Sequence, residues 1–184
     1  MKPRAFWKPL DDFESPALDW VKRVRVRGSV EDATAVLTKA GEHGMVWYGM
    51  AGVAAIADRQ RRAEWLRAGA AVAVVYGANT ALKFAARRKR PRQSEFGTET
   101  DLSFPSSHAV TSFAAARLFG ELAPAARGPL HVGAFAVAFS RLHFMVHYPS
   151  DLLAGAAIGN IAGGAVAKRY FRRVNTQTQT AEVS

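Results

Sequence analysis

The sequence predicts an all-α protein: a multi-span transmembrane helical bundle of about five spans, with N-terminal amphipathic interfacial helices ahead of it. Three observations carry that expectation. Five apolar segments are separated by charged turns, glycines recur four apart within the last of them, and a basic, amphipathic stretch precedes the first. The mean hydropathy of -0.06 is that of a soluble domain, so the argument rests on where the apolar residues fall. A chain of 184 residues suits one compact domain. Its expected parts are an interfacial segment at 1–42, a membrane domain at 43–173 and a polar tail at 174–184.

Ser15-Pro16 pairs a capping serine with a first-turn proline and marks a helix start. From there to Arg27, Leu18, Trp20, Val21 and Val24 interleave with Lys22, Arg23, Arg25 and Arg27, the pattern of a helix lying at an interface. Gly28 breaks it, Ser29 with Asp32 forms a capping-box pattern, and a second short helix is expected to end at Gly41. Met45–Ala57 carries no charge, and Leu66–Leu82 has Arg67 near its start and Asn79 near its end. Val110–Ala123, Leu130–Phe139 and Leu152–Ala167 complete the five, interrupted by Arg117, Glu121, His131 and Asn160. The first segment falls short of the roughly 20 residues that a hydrocarbon core asks for.

Gly155, Gly159 and Gly163 share one helix face, which lets a neighbouring backbone approach closely. The same spacing would serve a buried helix of a soluble bundle. The final VNTQTQTAEVS is polar and aperiodic and is expected to be disordered. Met1–Trp20 mixes basic, acidic and proline residues without an apolar core, so no cleavable signal is expected.

A formal charge of +10 predicts attraction to anions, whether nucleic acid, an anionic bilayer or a phosphorylated substrate. The absence of cysteine excludes a disulfide framework, a thiolate zinc site and cysteine catalysis. Three polar clusters at the ends of apolar segments narrow the choice.

The first is KFAARRKRP, Lys83 to Pro91. Lys83 and Arg90 are two helical turns apart and point the same way if the helix persists, with Pro91 ending it. As a bare basic run it would equally suit nucleic acid, but it directly follows an apolar span and lacks interleaved aromatics. The second is Pro105-Ser106-Ser107-His108, opening an apolar helix. Free N–H groups and the positive end of the helix dipole make such a start an anion cradle, although plain capping explains the serines alone. The third is Ser140-Arg141 followed by His147-Tyr148-Pro149-Ser150-Asp151. Pro149 begins a helix with Asp151 in its first turn, from which the carboxylate reaches back to His147 and fixes its tautomer. A structural histidine would be the plain reading of that cluster by itself.

Together the clusters match lysine, six residues, Arg-Pro; Pro-Ser-Gly-His with Ser107 in place of glycine; and Ser-Arg, five residues, His, three residues, Asp. Over about residues 43 to 168 the chain resembles the type-2 phosphatidic acid phosphatases, whose helical core the vanadium haloperoxidases share. The resemblance implies that Lys83, Arg90 and Arg141 hold phosphoryl oxygens, with Ser106 and the Ser107 backbone N–H completing the cradle. It further implies His147 as nucleophile, Asp151 as its orienting acid and His108 as general acid. Three cations can offset the charge on the equatorial oxygens, so neither metal nor cofactor is expected. His43, His131 and His143 match no motif position.

The expected substrate is a lipid phosphate reached from the bilayer; the small size and basic N-terminal segment resemble those of bacterial prenyl-phosphate enzymes, a resemblance that implies a prenyl-linked lipid. Prenyl-pyrophosphate and phosphatidylglycerophosphate or phosphatidate phosphatases carry the same clusters. A haloperoxidase is the enzymatic alternative, and a non-catalytic basic membrane or nucleic-acid-binding protein the other class; no nucleic-acid partner is expected. The distribution of Lys and Arg, heavier on the N-terminal segment and the 87–92 loop than on the opposite turns, favours a cytoplasmic site.

Overall fold

The structure, a computed structural model, describes residues 3–181 apart from 93, 95 and 99, with side chains described between residues 5 and 170. Its α-helices follow in the order α1 (Pro3–Val24), α2 (Ser29–Ala40), α3 (Met45–Ala57), α4 (Arg62–Ala86), α5 (Ser107–Leu122), α6 (Arg127–His143) and α7 (Pro149–Ala181). Among the described residues there is no sheet, so the all-α expectation holds.

Helix α5 is the axis of the bundle. Its small and apolar residues, including Ala109, Val110, Ala114, Ala115, Ala116, Leu118 and Phe119, are wholly buried, enclosed by α3, α4, α6 and α7. Trp47 and Ala51 of α3, Trp65, Ala68 and Val72 of α4, Val137 of α6 and Ala167 of α7 join Phe119 in the largest apolar cluster.

The expected glycine face of α7 lies against α5. A Cβ at Gly159 would stand 2.4 Å from the Val110 carbonyl oxygen, and one at Gly163 would stand 2.8 Å from that of Ala114. Both neighbours are backbone atoms that cannot swing aside, so glycine sets the separation of the two helices. The close approach extends to their N-termini, where the Ser106 N–H donates to the Asp151 carbonyl at 3.1 Å. Helix packing thereby fixes the second cluster against the third.

Three local expectations are corrected. Helix α1 begins well before Ser15 and runs through both Pro9 and Pro16. Tertiary anchoring outweighs the proline penalty there: Leu18 is fully buried, and Trp7 Nε1 donates to the Ala86 carbonyl at 2.8 Å. Ser29 is the first residue of α2 and not its cap; Gly28, at φ 75, occupies the cap position without a side-chain bond. Helix α4 stops at Ala86, because Arg87 adopts a left-handed cap at φ 52, so Lys83 and Arg90 do not share a helix. Helix α7 has backbone bounds Pro149–Ala181.

Beyond α4 the chain is extended. Lys89 bridges to Leu102, the Arg90 N–H donates to the Asp101 carbonyl at 3.0 Å, and the Ser103 N–H donates to that of Arg88 at 2.8 Å. Alternation then divides the basic run: Arg87, Lys89 and Arg92 are exposed, whereas Arg88 is buried and Arg90 partly so.

Two helices, Arg62–Ala86 and Pro149–Tyr170, are long and apolar enough to cross a membrane among the described residues. The α3, α5 and α6 helices have 13, 16 and 17 residues, about 20 to 26 Å of helix at 1.5 Å per residue.

Candidate active site

The three clusters meet in one cavity of about 480 Å³, lined by Lys83, Arg90, Ser107, His108, Arg141 and His147 among others. They arrive by different routes: Lys83 from the last turn of α4, Arg90 from the extended segment, Ser107 and His108 from the start of α5. Arg141 comes from the last turn of α6, and His147 from the turn before α7.

His147 is almost completely buried. Its Nε2 receives an N–H from Arg90 Nη1 at 3.1 Å, and its Nδ1 lies 3.4 Å from Asp151 Oδ2. A guanidinium only donates and a carboxylate only accepts, so Nδ1 carries the proton and Nε2 keeps its lone pair. Burial first, and then the nearby Arg90, Lys83 and Arg141 cations, hold the His147 pKa well below the ordinary imidazole value. The resting imidazole is therefore neutral, and its Nε2 electron pair faces the cations and accepts the Arg90 N–H. The Asp151 contact is long, as expected of a pair that draws together when the ring gains charge.

Asp151 is fully buried and held from several directions. The Tyr148 N–H donates to Oδ2 at 2.9 Å, while Arg88 Nη1 donates to Oδ1 at 2.7 Å. Arg88 has no exposed surface. It also donates from Nε to Asp11 Oδ1 at 2.9 Å, from Nη2 to Glu14 Oε2 at 2.6 Å and from Nη1 to Ser150 Oγ at 2.7 Å. The Tyr148 ring covers its guanidinium at 4.1 Å. In the sequence Arg88 is one residue of an undifferentiated basic run. The available signal was Asp11 and Glu14, three apart on one helix face and thus able to grip a single cation.

His108 is anchored by α2. Its Nε2 lies 3.0 Å from the Thr38 carbonyl, which only accepts, so Nε2 is protonated and Nδ1 remains for proton transfer. Thr38 is itself fixed, donating from Oγ1 to Ser140 Oγ at 2.7 Å. Gly41 packs beneath the ring, where a Cβ would meet His108 Cδ2 at 2.8 Å. Thr38 and Gly41 lie outside the three clusters, whereas Ser140 belongs to the third.

The cationic wall is only partly paired within the protein. Lys83 Nζ donates to the Leu102 carbonyl at 3.2 Å, and Arg90 Nε to that of Thr100 at 2.9 Å. Burial lowers the Arg90 pKa to about 10, which leaves it charged at neutral pH. Arg141 Nε and Nη1 and Ser106 Oγ are buried with no hydrogen-bond partner among the described residues. Ser106 sits at the cap of α5 yet makes no side-chain cap bond, so plain capping does not account for it. Buried donors aimed nowhere within the protein match an anion with several acceptor oxygens.

Ser107 Oγ accepts from Asn79 Nδ2 at 2.9 Å. His43, which matched no motif, lines the cavity and bonds Tyr76 through Nδ1 at 2.9 Å. His131 and His143 lie outside the cavity lining.

A family model described as the PAP2 superfamily matches residues 64–175. A Mycobacterium tuberculosis protein named decaprenylphosphoryl-5-phosphoribose phosphatase is 38% identical over 154 residues, 78% of this chain and 85% of that protein. A Mycolicibacterium smegmatis protein of the same name is 35% identical over 146 residues, 72% of this chain and 78% of that one. The crystal structure described as the first transmembrane PAP2 type phosphatidylglycerolphosphate phosphatase, from Bacillus subtilis, aligns with a TM-score of 0.72 at 18% identity. That alignment covers 90% of this chain and 88% of that one, a likeness of fold.

Proposed function

Because the chain belongs to the PAP2 superfamily and is a lipid-phosphate phosphatase, we propose that it removes the terminal phosphate of a prenyl-linked phosphosugar, of the decaprenylphosphoryl-5-phosphoribose kind, at the His147 cavity. The observation that carries the site is the convergence of Lys83, Arg90 and Arg141 on His147 and His108, with the Arg141 and Ser106 donors unpaired. The names of the relatives support the substrate. So does the lining beside the histidines, where Tyr76, Thr80, Thr98 and Thr100 offer hydroxyls suited to a sugar.

In the first step Nε2 of His147 attacks phosphorus and the P–O bond to the leaving group breaks, while His108, entering the step as the imidazolium, gives that oxygen its Nδ1 proton and is left neutral with Nε2–H on the Thr38 carbonyl. Asp151 holds Nδ1–H as the ring becomes cationic. Lys83, Arg90 and Arg141 receive the charge on the three equatorial oxygens, helped by Ser106 and the first N–H groups of α5. In the second step water, losing a proton to His108, displaces His147 and releases phosphate. Ser107 replaces the usual glycine with a small side chain, and its hydroxyl is drawn towards Asn79.

Phosphate release by the detergent-purified protein should be greatest with phosphoribosyl prenyl phosphate. Prenyl monophosphate, prenyl pyrophosphate, phosphatidylglycerophosphate and phosphatidate should all be poorer. EDTA should leave the rate unchanged. Preference for a diacyl lipid would overturn the prenyl-sugar assignment, and magnesium-restored activity would overturn the chemistry.

The domain occupies residues 43–173 in this reading, and the bundle from α3 to the Pro149–Tyr170 part of α7 crosses the bilayer five times. Support comes from large apolar residues turned outward, among them Val53, Ile56, Val74, Val132, Phe135, Leu153 and Ile161. The 1–42 segment lies at the interface. Phe6, Phe13, Trp20 and Val24 are exposed along one side of α1, spaced to form a stripe against lipid. Contacts of Trp7, Asp11 and Glu14 with residues 86–88 put α1 at the same end as the cavity. The basic N-terminal segment then favours a cytoplasmic site. A cysteine at Thr98 should resist an impermeant thiol reagent in intact cells while one at Ala125 reacts; the reverse pattern would place the site outside.

A further inference from the structure

Beyond the residues that touch phosphate, we propose that Glu14 and Arg88 are positioning residues for catalysis, holding Asp151 in the orientation that serves His147. The proposal rests on the assignment of His147 and Asp151 made above.

Asp151 has two oxygens and two jobs. Oδ2 faces His147 Nδ1, and Oδ1 is occupied by Arg88. With Oδ1 held, rotation of the carboxylate about its terminal torsion would break the Arg88 bond, so Oδ2 stays on the imidazole. Arg88 is set in turn by Glu14, whose Oε2 accepts from Arg88 Nη2 at 2.6 Å. Glu14 also secures the start of α7 from the other side. Its Oε1 accepts the Ser150 N–H at 2.6 Å, and its Oε2 accepts the Ser150 hydroxyl at 2.7 Å. One carboxylate from α1 thus holds both the guanidinium that orients Asp151 and the backbone turn that carries it.

The charge arrangement agrees with this role. Burial opposes the charge on Arg88, but Asp151, Glu14 and Asp11 outweigh it, and the net effect raises its pKa. A permanently charged, planar, multiply bonded group suits fixed orientation, and lysine could not reproduce its geometry. Glu14 lies in the N-terminal segment, outside the 64–175 stretch that the family model matches. Among the described residues its side chain bonds Arg88 and Ser150, and no bond to Lys83, Arg90 or Arg141 is seen.

The test is a double-mutant cycle on the full-length, detergent-purified protein. Glu14→Gln keeps the size and one acceptor oxygen but removes the charge, and it should lower kcat about 10- to 100-fold with KM changed less than about twofold, the range typical of losing a group that orients a histidine's carboxylate partner. Glu14→Asp should restore part of the loss. In an Asp151→Asn background Glu14→Gln should cost almost nothing more, because the orientation it supports is already spent. Arg88→Met should follow the same pattern. Should it fail to fold, Glu14→Gln decides alone, compared with wild type at equal thermal stability.

Undiminished kcat in Glu14→Gln overturns the proposal, as does a full additional loss in the Asp151→Asn background or a loss confined to KM. Full activity in Asp151→Asn itself would overturn the underlying site assignment as well. The two failures are therefore distinguishable.

Discussion

Replacing His147 by alanine should abolish turnover, lowering it by roughly 10⁴-fold or more, because His147 Nε2, beside Arg90 Nη1 at 3.1 Å, is the nucleophile in this mechanism. Asp151→Asn retains the nucleophile and loses only its orientation and charge. It should therefore keep a rate about 10²-fold above that of the His147 variant. The pH profile follows from the same geometry. Burial and the Arg90, Lys83 and Arg141 cations hold His147 neutral well below the usual imidazole range. As pH falls through 6.5 the nucleophile is still unprotonated, so the acid limb that it imposes on kcat/KM lies below 6.5. Arg90→Gln removes a repelling cation, raises the His147 pKa and moves that limb to higher pH. Full phosphatase activity in His147→Ala, or an acid limb that moves downward in Arg90→Gln, would contradict the mechanism.

The residues that line the cavity could be singled out in the sequence because their signals are local. A proline opening α7 places Asp151 in its first turn, and serines at the cap and first position of α5 mark a candidate anion-binding helix end. The glycine face of α7 was legible for the same reason, as a four-residue period. What was not legible depends on distant partners. Thr38 and His108 are 70 positions apart, and Glu14 and Arg88 are 74 apart. No periodicity links them, so the N-terminal segment read only as a basic interfacial stretch. The basic run misled in a second way. Its composition suits a helix continuing past Lys83, whereas the left-handed turn at Arg87 makes it extended, and the change of period sends Arg88 and Arg90 inward. Helix α1 combines both readings, with one face exposed and apolar and the other, through Asp11 and Glu14, joined to the site.

His108→Ala should separate the two chemical steps. With an alkyl phosphate the leaving alkoxide needs a proton in the transition state, and losing the acid should slow the reaction by about 10²- to 10⁴-fold. With p-nitrophenyl phosphate the departing phenolate is stable without one, so attack by His147 should proceed nearly unimpaired. Hydrolysis of the phosphohistidine still lacks its base. The variant should release close to one equivalent of nitrophenolate in a burst and then turn over slowly, with phosphate accumulating on His147 as an acid-labile, alkali-stable adduct. Thr38 enters through its backbone carbonyl, which holds Nε2–H and leaves Nδ1 to exchange the proton, so side-chain substitution at Thr38 would not reproduce the burst. Equal slowing of both substrates with no burst would show that His108 binds phosphate without transferring a proton, and the leaving group would then have to be protonated from elsewhere in the cavity.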